Sequence, residues 1–266
     1  MVAVSKSNRR VRELRKLIRR GSYRDEMQLY VIEGRGLLRE AALTGNIPID
    51  IFVADNDSDM APEVSALLSE GSTVWDMEEK VMRSVASTQN PQSVVATVPM
   101  VKYSLDDILE SSPSFLVIGV EINDPGNAGT IIRTAAASGA DAVIFSHGSV
   151  DVYNPKVVRA SAGGIFRIPV IRSMDIADLL RSCEKNGIAP LGLAGEGQIE
   201  YSTYNFDHPI ALLVGNEARG LDRSVVGELE AQISIPMEAG VESLNAAVAL
   251  AIVSFEVHRQ RTLNDV

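Results

Sequence analysis

One cysteine, Cys183, stands in 266 residues. That excludes a disulfide framework within the chain and a cysteine-based metal cluster, and it fits the reducing cytoplasm. Histidine is nearly as scarce. His147, His208 and His258 lie far apart, and no His/Cys/Asp group has the spacing of metal ligands, so no metal is implied. No apolar run approaches the roughly 18–20 residues of a membrane span, and no apolar stretch follows the basic N-terminus, which speaks against a secretory signal. The glycines of GLAGEGQ (192–198) invite a Rossmann dehydrogenase, but no G-x-G-x-x-G follows the first strand of either half. No repeat or low-complexity tract is present.

What is there suits a globular chain. Hydrophobic residues make up 45% and mean hydropathy is +0.07, enough apolar material for a real core. The length suggests two domains, with one large α/β domain as the alternative. A net charge of −10 speaks against nucleic acid, but its distribution does not. Residues 1–24 carry Lys6, Arg9, Arg10, Arg12, Arg15, Lys16, Arg19, Arg20 and Arg24 against Glu13 alone, a net +8 that leaves −18 elsewhere. Cations this dense repel one another without an anionic partner, so they point to phosphate, with a solvated helix face as the alternative.

Along the first hundred residues, periodicity predicts helices at 8–20, 34–45, 61–70 and 78–86 and strands at 49–55, 72–77 and 93–100. A polar linker spans 101–114. The second half alternates near-continuous apolar strands (115–122, 141–146, 165–171, 189–194, 210–214, 232–236) with helices (128–138, 155–162, 175–187, 221–230, 243–260). That is the pattern of a parallel sheet covered on both faces, in which ligands bind at the carboxyl ends of strands.

Three polar loops follow such strands. In EINDPGNAGTIIRTAAASGAD (121–141), Asn127 is a plausible N-cap. Asn127, Thr130, Arg133 and Ala137 share the side away from the core. In LLVGNEARGL (212–221), a buried strand ends at Gly215 and delivers Asn216, Glu217 and Arg219. Glu217 can orient an arginine or a substrate, and Asp222 can cap the next helix. In IPMEAGVESLNAAVALAI (235–252), Pro236 stops the strand and Glu242, Ser243 and Asn245 crowd the start of a helix, where Ser243 can cap and Glu242 suits the dipole. Leu244, Val248, Ala251, Ile252 and Phe255 form that helix's apolar stripe. Each loop alone reads equally well as an ordinary turn. Their shared sheet edge suggests one pocket.

These three stretches, in this order, resemble the motifs of the SpoU (TrmH-like) family of RNA ribose 2′-O-methyltransferases, in the SPOUT superfamily. DVYNPKVVRASAGGIFRIPV (151–170) resembles its rRNA-type branch. The likeness covers about 115–260. Residues 1–101, including VIEGRGLLREA, more loosely resemble the L30e-like substrate-binding domain that precedes the catalytic domain (115–266) in many members. The resemblance implies an α/β fold with a deep trefoil knot and a homodimer whose partner completes the site. It also implies S-adenosyl-L-methionine (AdoMet) as cofactor. By position, Gly215, Ile235, Met237 and Leu244 would contact the cofactor, with Gly192, Leu193 and Ala194 as the opposite wall. Asn127, Arg133, Glu217, Ser243 and Asn245 would be the catalytic set. Ala239 stands where glycine is frequent in the family.

The implied reaction moves a methyl from a sulfonium to a ribose 2′-hydroxyl, a poor nucleophile at neutral pH. With no histidine in a motif, the resemblance gives the hydroxyl to Arg133, aided by phosphate or by Glu217, or acting electrostatically. The RNA contacts would be Arg9, Arg10, Arg12, Arg15, Lys16, Arg19 and Arg20, with Lys156, Arg159 and Ser161 gripping phosphate or serving a structural helix. Cys183 reads as a packed small hydrophobe. The substrate expected is 23S rRNA over tRNA, and an antibiotic-resistance role is not separable from housekeeping. A non-enzymatic RNA-binding protein on this fold would show erosion at Asn127, Arg133, Glu217 or Asn245, and none is visible.

Overall fold

The computed structural model describes residues 2–54, 67, 71–85, 92–239 and 243–264. The expected helix at 61–70 therefore lies outside the described residues save Leu67, as do Gly240 and Glu242. The chain forms two compact units: residues 1–101 with 151–166, and residues 102–150 with 167–266.

The first unit holds β1 (Val2–Val4), β2 (Leu29–Glu33), β3 (Asp50–Ala54), β4 (Thr73–Met77) and β5 (Val94–Pro99), in the sheet order β1-β4-β3-β5-β2. β4 runs parallel to both neighbours and β5 antiparallel to both of its own. Helix Arg9–Arg19 starts at Asn8, whose side chain accepts the Arg10 N–H. It buries Val11, Leu14 and Leu17 against Phe52, Met77 and Met82. The sequence reading missed helix Gly21–Met27 and β2. Both are too short for periodicity to separate from a turn or a helix segment.

Residues 151–166, assigned to the second half by the sequence, pack with the first unit. Arg24 explains this. It is 3% exposed and donates to Leu17 O at 2.6 Å and to Asp151 Oδ2 from Nε at 3.0 Å. A buried guanidinium needs a carboxylate, so Arg24 is a structural ion pair and not part of the basic face. Tyr153 packs against Tyr30 with the rings tilted and their centroids 4.8 Å apart, and it donates to Val101 O.

The second unit is a seven-stranded sheet, all parallel: β6 (Phe115–Gly119), β7 (Ala142–Ser146), β8 (Val170–Met174), β9 (Ala189–Leu193), β10 (Ile199–Glu200), β11 (Ile210–Val214) and β12 (Ala231–Ser234). Their order is β10-β12-β9-β11-β6-β7-β8. Every residue of β6, β7 and β11 is buried, the continuous apolar run that burial on both faces demands. Helices Pro125–Ser138 and Ala246–Asn264 pack together. Leu179, Leu180 and Cys183 of helix Ile176–Lys185 join the core with Ile118, Ile144 and Leu213. From β6 the chain steps outward to β7 and β8, then crosses to β9 on the other side. The carboxyl ends of β6, β9, β11 and β12 thus meet at a topological switch point.

Several boundaries move. Residues 164–166 form a 3-10 turn and the strand begins at Val170, after Pro169. The expected helix 221–230 shrinks to Arg223–Val226, with Asp222 at its start making no side-chain cap bond. The apolar stripe expected on the last helix is not its core face: Val248 and Phe255 are 46% and 49% exposed. The buried side carries Ala247, Leu250, Val253 and Val257.

Candidate active site

β11 is followed at once by Gly215, where nothing larger fits: a Cβ there would lie 2.3 Å from the Gly220 carbonyl carbon. The loop folds straight back, and Asn216 and Gly220 exchange both backbone hydrogen bonds, at 3.0 and 2.8 Å. Gly220 takes φ +68, a value glycine adopts without strain. Glu217 sits at the tip of this turn.

Helix Pro125–Ser138 opens with Asp124 as N-cap, its Oδ1 accepting the Asn127 N–H at 2.8 Å, and Pro125 in the first turn. Asn127, expected as the cap and on the outer side, is 8% exposed and has its side chain free for other work. The Asp-Pro pair was the legible cap signal, since Pro at the first helical position follows its cap. The last helix is capped by Asn245, not Ser243: Asn245 Oδ1 accepts from the N–H groups of Ala247 (3.0 Å) and Val248 (3.2 Å).

These local choices create one chain of hydrogen bonds. Asn245 Nδ2 donates to Asn127 Oδ1 at 2.8 Å, and Asn127 Nδ2 donates to Glu217 Oε1 at 2.9 Å. Glu217 Oε1 also accepts the Asp124 N–H at 3.2 Å. The direction is forced at both ends. Helix N–H groups can only donate, which turns the Asn245 amide nitrogen toward Asn127; an ionised carboxylate can only accept. Partial desolvation pushes the carboxyl of the exposed Glu217 up, but the Asn127 amide and the backbone N–H groups of Glu217, Asp124 and Asn123 outweigh it and hold the group below its ordinary value. Three sequence-distant loops are thereby pinned together.

Beside them lies a cleft of about 280 Å³, near the lower end of the roughly 300–1,000 Å³ of small-molecule sites. Leu193, Ile233, Ile235, Met237, Leu244 and Ala249 give it apolar walls, with Glu217 and Ser243 as polar points and Ala194 and Gly215 at strand ends. Gly192 does not line it. Its missing Cβ faces Leu229 and Leu221, so glycine there serves packing. Arg133 is exposed and makes no side-chain hydrogen bond or ion pair among the described residues. Glu217 is bound to Asn127, not to Arg133. Arg219 pairs with Glu121 at 2.5 Å.

Residues 114–255 match the SpoU rRNA Methylase family. The chain belongs to that family. Residues 8–96 match the MRM3-like substrate binding domain. Over 253 residues the chain is 30% identical to the 23S rRNA (guanosine(2553)-2′-O)-methyltransferase RlmP of Bacillus subtilis (strain 168), covering 95% of this chain and 97% of the relative. It is similar to the crystal structure of an AdoMet-bound rRNA methyltransferase from Sinorhizobium meliloti, with TM-score 0.86, 31% identity and 97% of each chain covered. It also resembles the SpoU methyltransferase AviRb from Streptomyces viridochromogenes in complex with AdoMet, with TM-score 0.86 and 28% identity over 96% of this chain and 98% of that one.

This SpoU chain carries its other candidate residues in the first unit. Arg12, Arg19 and Arg20 are exposed with side chains unpartnered among the described residues. Arg9 and Arg10 bond Glu13, Arg15 bonds Ser84, and Lys16 lies 5.0 Å over the Tyr23 ring. Lys156 is exposed; Arg159 lies 3.7 Å from Glu33. Ser161 grips no phosphate: it is fully buried and donates to Val158 O. Burial pushes the Cys183 thiol up to about 11, so it stays protonated and inert.

Proposed function

We propose that the chain is an AdoMet-dependent RNA 2′-O-ribose methyltransferase acting on 23S rRNA. The observation that carries this reading is the Asn245–Asn127–Glu217 chain of hydrogen bonds beside an apolar cleft at the switch point of a parallel sheet. Near-complete coverage of RlmP supports rRNA.

The cleft suits the cofactor chemically. Apolar walls take the adenine and the thioether side, and backbone groups at the strand ends take its polar edges. AdoMet, when bound, supplies an electrophilic methyl on a sulfonium. Arg133, with no competing partner among the described residues, binds the hydroxyl and its neighbouring phosphate and favours the developing alkoxide electrostatically. A guanidinium stays protonated, and the protein residue expected to assist it, Glu217, is committed to Asn127. Asn127, Asn245 and Glu217 are therefore positioning residues. They hold the three loops to the tolerance that in-line transfer requires, and Ser243 faces the cleft. Arg12, Arg19 and Arg20 contribute sequence-independent affinity for the RNA backbone.

The enzyme works as a homodimer in the cytoplasm. The exposed apolar side of the last helix, with Val248 and Phe255, supports a second copy as its cover. Passage of the C-terminal stretch through a loop to form the knot belongs to the same proposal, supported by the chain order of the sheet.

Transfer of labelled methyl from AdoMet to unmodified 23S rRNA and to bulk tRNA, run in parallel, tests the reading. Label in rRNA alone, recovered as an alkali-stable 2′-O-methyl dinucleotide, is expected. Arg133→Ala should keep cofactor affinity and lose turnover. Label confined to tRNA would overturn the substrate assignment, and weak cofactor binding with intact turnover would overturn the role of Arg133.

A further inference from the structure

The turn after β11 lines the cleft with one exception. Val214, Gly215, Asn216, Glu217, Ala218 and Gly220 all contribute to its wall, and Arg219 does not. Its side chain instead donates from Nη2 to Glu121 Oε2 at 2.5 Å. Glu121 belongs to the loop between β6 and the helix that bears Asn127.

One amide fixes both partners. Asn216 Nδ2 donates to Glu121 O at 2.9 Å, and Asn216 Oδ1 accepts the Arg219 N–H at 3.2 Å. Glu121 itself takes φ +51, which is uncommon for a residue with a side chain, and its N–H is held by Ser146 Oγ at 2.9 Å. Yet the pair is open to water, with Arg219 and Glu121 side chains 62% and 38% exposed. Exposed ion pairs contribute little to stability, so the ordering of this one calls for another use. A guanidinium grips a phosphate with the same fork geometry it offers a carboxylate. A phosphate reaching this rim competes with Glu121 for the same donors.

We infer that Arg219 is a substrate ligand: it exchanges Glu121 for a phosphate of the RNA backbone beside the target ribose, and Glu121 holds it in place until then. The inference rests on the methyltransferase reading above. The two partners then have opposite effects on RNA binding, which a structural brace would not produce.

The test is steady-state methyl transfer by the full chain to transcribed, unmodified 23S rRNA across a series of KCl concentrations. Arg219→Ala should raise the KM for RNA about tenfold, the scale of one charge-assisted hydrogen bond. It should also flatten the salt dependence by roughly 0.7–0.9 in log–log slope, the worth of one phosphate contact. Cofactor affinity and kcat should not change. Arg219→Lys should restore the slope but only part of the KM. Glu121→Gln should lower the KM, by no more than about fivefold because the competing pair is exposed. A higher KM in both Arg219→Ala and Glu121→Gln, or loss of kcat or cofactor affinity in Arg219→Ala, would make the pair a brace and overturn the inference. A wild-type chain that binds AdoMet but transfers no methyl would overturn the reading beneath it instead.

Discussion

The two units solve different problems with different residue types. On the first, Arg12 and Arg19 stand on the exposed face of one helix and Arg20 just past its end, with no described partner fixing their side chains. In the second, Asn127, Glu217 and Asn245 are each held at 2.8–2.9 Å by another member of the set. Long-range attraction to a polyanion tolerates mobile charges, because it depends on their number and sign more than on their geometry. Methyl transfer is sensitive to misplacement on the scale of an ångström, and the caps and the carboxylate of this set are the kind of lock it requires. The contrast shows where disorder is permissible and where it is not.

The sharpest way to break that contrast is to reverse one link. Asn127→Asp sets a carboxylate against Glu217 and removes the only donor between them. It should lower kcat by about 100-fold or more, the scale of a misplaced reacting group, with RNA affinity nearly unchanged. Equal losses in kcat and RNA affinity would show that the network serves folding instead.

Phe255→Glu puts a charge on the exposed stripe of the last helix. It should convert a dimer to a monomer in sedimentation at micromolar concentration and abolish transfer, while far-UV circular dichroism stays the same. A wild-type chain that sediments as a monomer would remove the partner from the proposal.

On the first unit, Arg12→Ala/Arg19→Ala/Arg20→Ala together should reduce the salt slope of RNA binding by about two, three cations at roughly 0.7 each on single-stranded RNA. The loss should be similar for every RNA tested, and kcat at saturating RNA should be preserved. A sequence-selective loss would show that this helix reads bases.

The smallest effect is a titration. Hydrogen bonds hold Glu217 below its ordinary value despite partial desolvation. A depressed carboxyl contributes stability that is present above the unfolded value of about 4.3 and is lost as pH falls through the folded one. The Tm difference between wild type and Glu217→Gln should thus be constant near neutrality and shrink below about pH 4.3. A difference that grows on acidification would mean that Glu217 is not the acceptor at the end of this chain.

Much of the architecture could be read in advance where apolar runs were long. The buried strands β6, β7 and β11 and helix Pro125–Ser138 fall close to their expected places. Short or edge elements were missed: LYVIE of β2 and the two residues of β10 carry too few side chains for a period to show. Asn127 and Ser243 were open as caps, and Asp124 and Asn245 fill those places, since several residues near a helix start are chemically able to cap. Only the neighbours that claim the other candidates decide among them. The last helix shows the same limit. Val248 and Phe255 share an apolar stripe with the period expected of a core face, but hydrophobicity alone does not say whether this chain or another molecule covers them.

By itself the sequence determined the alternation of strands and helices, the placing of three polar loops at strand ends, and the concentration of positive charge in residues 1–24. All three are local: they follow from period, turn chemistry and charge count. Tertiary structure alone decided that Arg24 is a buried ion pair rather than an RNA contact, that residues 151–166 belong with the first unit, and that Glu217 serves Asn127 rather than Arg133. Each of those outcomes depends on residues 90 or more positions apart competing for one partner, and that competition is resolved only when the chain is packed.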